Sequence, residues 1–113
     1  MGNIGDPDLV LELDNLNKKL SESIENLSKH GKALAEAERT YKVELTKEAL
    51  KLRDKGIAVT LIDKIIYGSG DIPDLRLKRD LAETLYKATQ ENINGIKLRM
   101  RILENQIDRE YRV

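Results

Sequence analysis

The chain contains no cysteine, phenylalanine or tryptophan, only one histidine and two prolines, and its 20 basic and 20 acidic side chains leave no net charge. Without cysteine there is no disulfide framework, no thiolate metal site and no cysteine nucleophile. The only aromatics are tyrosines, four of them, which excludes a compact aromatic-rich core. Charge balance removes the overall basic excess of a dedicated phosphate binder, so any nucleic-acid contact must come from a local patch. No run approaches the roughly 20 apolar residues of a membrane span. The start, MGNIGDPDLV, has neither the basic nor the apolar region of a secretory leader, so the expected location is the cytoplasm, with no membrane partner.

What remains, 113 residues with 40% hydrophobic and 35% charged side chains, is the composition of one small domain. Both prolines stand near the start of a long periodic segment: Asp6 precedes Pro7, and Asp71 precedes Pro73 and Asp74. Each group reads as a helix N-terminus, where a carboxylate meets free amides and an acidic first turn suits the dipole. Most glycines fall outside these segments. The expected organisation is a single helical-hairpin domain, residues 1 to 113, with a helix from about 8 to 55, a short helix from about 60 to 67 and a helix from about 72 to 111.

Heptad spacing carries the fold class. Leu13, Leu20, Leu27, Leu34 and Tyr41 recur at sevens, interleaved with Ile24, Gly31, Glu38, Leu45 and Leu52. In the second segment Tyr86, Ile93, Met100 and Ile107 form one track, and Ala82, Thr89, Ile96 and Leu103 the other. These tracks predict an all-α, coiled-coil-like antiparallel hairpin, about 70 Å long for the longer helix. The register that closes the connector most directly sets Leu20 against Ile107, Leu27 against Met100, Leu34 against Ile93, Tyr41 against Tyr86 and Leu45 against Ala82. It also places Ile24 by Leu103, Gly31 by Ile96, and the polar pairs Glu38 by Thr89 and Glu48 by Arg79. The pattern does not decide whether the first helix is continuous through Gly31. Leu77, Leu81, Leu85, Leu98 and Ile102 lie off the seam, and Leu9, Val10 and Leu11 are consecutive. This surplus points to self-assembly, a dimer forming a four-helix bundle, because a two-helix hairpin buries little by itself.

In the connector, Gly56 and Gly68 are helix C-cap candidates, and Thr60 with Asp63 reads as a shortened capping box. The punctuation is that of a helix-turn-helix, but residues 61 to 67 offer only Lys64 to bases, so the segment reads as a cap over the hairpin end. LRDKGIAVTLIDKIIYG followed by LRLKRDLAETLYKATQENINGIKLRMRILENQIDRE resembles a family of small uncharacterised helical proteins encoded by phages and prophages of Gram-positive bacteria. The likeness covers most of the chain. It implies a phage origin, a place in the cytoplasm of a bacterial host and a link to DNA metabolism, and it transfers no catalytic residue.

Catalytic and metal chemistry find no candidates. His30 lies among Lys29, Gly31 and Lys32 and reads as a surface side chain; the carboxylate pairs Glu22 with Glu25 and Glu44 with Glu48 lack the Glu-x-x-His partner of a di-metal site. The GSG of residues 68 to 70 is followed by Asp71 rather than the Lys-Ser/Thr of a phosphate loop. No cofactor, metal or enzymatic activity is expected. Charge is nevertheless shaped: residues 1 to 17 carry Asp6, Asp8, Glu12 and Asp14 with no base, and residues 92 to 103 carry Lys97, Arg99 and Arg101 with no acid. The two segments either neutralise each other or leave Arg76, Lys78, Arg79, Lys87, Lys97, Arg99 and Arg101 as a basic stripe for phosphate or an acidic partner. The sequence therefore favours a non-enzymatic phage accessory protein that binds another protein, of replication, recombination or host defence, with direct nucleic-acid binding as the alternative.

Overall fold

The computed structural model describes residues 7 to 112. Three α-helices and one short 3-10 turn account for almost all of them: α1 spans Pro7–Asp54, α2 Val59–Ile65, the 3-10 turn Ile66–Gly68 and α3 Ile72–Tyr111. The described residues include no strand. α1 continues unbroken through Gly31. Asp8 in its first turn and Lys51 and Arg53 in its last complement the helix dipole, as Asp74 and Arg109 do for α3. Asp6 lies outside the described residues. Exposed pairs one turn apart, such as Lys18 with Asp14 at 3.4 Å and Lys42 with Glu38 at 3.5 Å, add about 0.3–0.5 kcal/mol each to helix propensity.

The chain forms two compact units, one of residues 1–29 with 87–113 and one of residues 30–86. α1 and α3 contribute to both. In the first unit Leu16, Ile96 and Leu103 are buried, with Leu9, Leu13, Leu20, Met100 and Ile107 packed around them. At its other level Asn92 Nδ2 donates to Oγ of the buried Ser23 at 3.1 Å. In the second unit the position of a Cβ at Gly31 lies 3.1 Å from the Tyr86 ring, Arg79 lies 4.6 Å over the buried Tyr41 ring, and Glu48 abuts Gly70. Rising numbers on α1 meet falling numbers on α3 within each unit, so the helices pack antiparallel.

The register is not the expected one. Tyr41 meets Arg79 rather than Tyr86, Tyr86 fills the space over Gly31, and Glu48 lies by Gly70 rather than Arg79. The partner on α3 is displaced by about two turns toward its N-terminus. The connector supplies the reason. Leu52, Ile62 and Ile66 form a second buried cluster with Leu45, Ala49, Ile57 and Ile65 around it. These isoleucines claim the last turns of α1, so Leu45 packs there and α3 begins lower on α1.

The seam on α1 also differs. Leu16, Ser23 and Ala37 are buried, whereas Ile24, placed in the seam by its spacing from Leu45 and Leu52, is 50% exposed. A straight α-helix drifts about 20° per heptad against a 3.5-residue repeat, about 100° over the five heptads between Leu16 and Leu52. The buried stripe therefore starts on the Leu16 track and ends on the Leu52 track. On α3 the expected tracks hold: Ile93, Ile96 and Leu103 are buried, and Ala82, Tyr86, Thr89, Met100 and Ile107 are half-buried.

Turn chemistry fixes the connector. Gly56, at φ 83°, ends α1 with Gly56 N–H donating to Arg53 O at 2.9 Å and Ile57 N–H to Leu52 O at 3.3 Å. This is a Schellman arrangement, with Ile57 packed against the cluster of Leu52, Ile62 and Ile66. α2 then starts at once with Ala58 as N-cap and no side-chain cap bond, so Thr60 is inside the helix and the Thr60–Asp63 capping box does not form. Gly70, at φ 53°, and not Gly68, takes the second left-handed position. Ser69 Oγ donates to Ile65 O at 2.9 Å and Ser69 O accepts from Ile72 N–H at 3.1 Å, linking the 3-10 turn to α3. Gly56→Ala is expected to cost about 1–2 kcal/mol because the left-handed backbone is retained. Gly68→Ala, with open space around the added Cβ, should change stability by less than about 0.5 kcal/mol; urea unfolding of both variants tests the assignment.

Candidate interaction surfaces

The seven basic residues are divided between the two units. In the unit of residues 30–86, Arg79 turns into the helix seam. Its Nη2 and Nε donate to Asp80 Oδ1 at 2.8 and 3.1 Å, its plane lies over Tyr41, and its side chain is only 22% exposed. The hydrogen bond to Asp80 holds this guanidinium above its ordinary range, helped by the charge of Asp80 and opposed by burial. Arg79 thus acts as a packing element. Arg76 is exposed and lies 5.5 Å over the Tyr67 ring, and Lys78 is exposed.

In the other unit Lys87, Lys97, Arg99 and Arg101 are all exposed. Lys97 and Arg101, one turn apart, line a groove with Leu20, Met100 and Glu104. Arg99 lines a different groove, with Glu12, Leu16, Ile102, Leu103 and Gln106. Arg99 thus shares one groove with Glu12, and Lys97 and Arg101 share another with Glu104.

Apolar surface is the more coherent feature. Leu77, Leu81 and Leu85 are 57%, 61% and 49% exposed and follow one another at single turns of α3. In the unit of residues 1–29 and 87–113, Val10 and Ile24 are about half exposed beside Leu13 and Leu20, and Leu98 and Ile102 project from α3. The spacing of Leu77, Leu81 and Leu85, and of Leu98 and Ile102, is visible in the sequence. That Val10 and Ile24 belong to one exposed edge was hidden, because Ile24 keeps phase with Leu45 and Leu52.

His30, expected at the surface, is half-buried on the α1 face that also carries Ala37. Among the described residues no group of three or more His, Asp or Glu side chains is placed to hold a metal. No described helix is long and apolar enough to cross a membrane. No family model, curated protein or solved structure matches the chain.

Proposed function

We propose that this chain is a non-enzymatic helical adaptor of phage or prophage origin that assembles with itself and binds a further protein of the host or phage DNA machinery. The observation that carries the reading is the row Leu77, Leu81 and Leu85, three leucines about half exposed at single-turn spacing in an otherwise well-charged helix. Such a row is the form in which one helix presents itself to another. Self-assembly has separate support. In the other unit Val10, Ile24, Leu98 and Ile102 are about half exposed as well. The phage setting rests on the sequence resemblance alone.

Apolar contact is not screened by salt, whereas phosphate contact is. Immobilised protein should therefore retain its partner from infected-cell extract in high salt. Leu81→Asp, at a position 61% exposed, should lose that partner with its helical circular dichroism unchanged. Recovery of nothing but the chain itself at every salt concentration contradicts the partner reading. Binding of DNA or RNA that falls steeply with salt would replace it with the nucleic-acid alternative.

A further inference from the structure

We draw no further inference here: the strongest candidate, the groove that Val10, Leu13 and Asn17 of α1 line with Met100 of α3 in the unit of residues 1–29 and 87–113, is an unpartnered apolar face, and nothing in the structure shows what covers it.

Discussion

Ile93→Asp is expected to abolish cooperative folding. Ile93 is 6% exposed on the α3 face that meets α1, and a carboxylate there is desolvated without a partner, a cost above about 4 kcal/mol against a total stability of about 5–15 kcal/mol for a domain. Helical circular dichroism should fall toward the coil value at room temperature. Leu16→Asp, at a residue also 6% exposed, should behave alike. Ile24→Asp provides the contrast: its side chain is already half in water, so the helices should form normally while self-association is lost. A folded Ile93→Asp protein would mean that the α3 face is wrongly assigned.

Tyr41→Ala carries the second largest effect. The ring is 5% exposed and supports the Arg79 guanidinium at 4.6 Å. Truncation leaves a cavity of aromatic size, worth about 3–5 kcal/mol, and removes a stacking contact of about 0.5–1 kcal/mol. Tyr41→Phe keeps the ring and should cost no more than about 1 kcal/mol. The comparison is read from urea midpoints, and equal losses for the two variants would assign the effect to the hydroxyl instead of the ring.

Both residues belong to the seam that heptad spacing predicted: Leu20, Leu27, Leu34, Tyr41, Leu45, Ala82, Tyr86, Ile93, Met100 and Ile107 are all buried or half-buried. Two long helices and a short one between them were legible because apolar spacing and the Gly–Pro punctuation agree. What escaped the sequence was set by tertiary competition. The pattern on α1 could be extended backward from Leu52 by sevens, and that step carried Ile24 into the seam, because spacing does not record the drift of a real helix. Register was ambiguous by a heptad, since each slip keeps the same side chains inward. The choice was made by Ile57, Ile62, Ile65 and Ile66, which needed the end of α1 for themselves. Within the connector, Gly56 signalled its left-handed position, but Gly68 and Gly70 are near-equivalent by sequence and only the path into α3 separates them.

The basic residues show the same limit. Local charge excess in the sequence could not tell Arg79, drawn onto Tyr41 and Asp80, from Lys97 and Arg101 in an exposed groove.

The central claim is that the apolar surface left over by the helix pair serves association. Sedimentation equilibrium of the full chain at micromolar concentration tests it most directly. The account predicts a mass twice the 12.9 kDa of one chain, unchanged in high salt and returning to the single-chain mass for a helical, folded Ile24→Asp variant. A native protein that sediments at 12.9 kDa across the concentration range would contradict it.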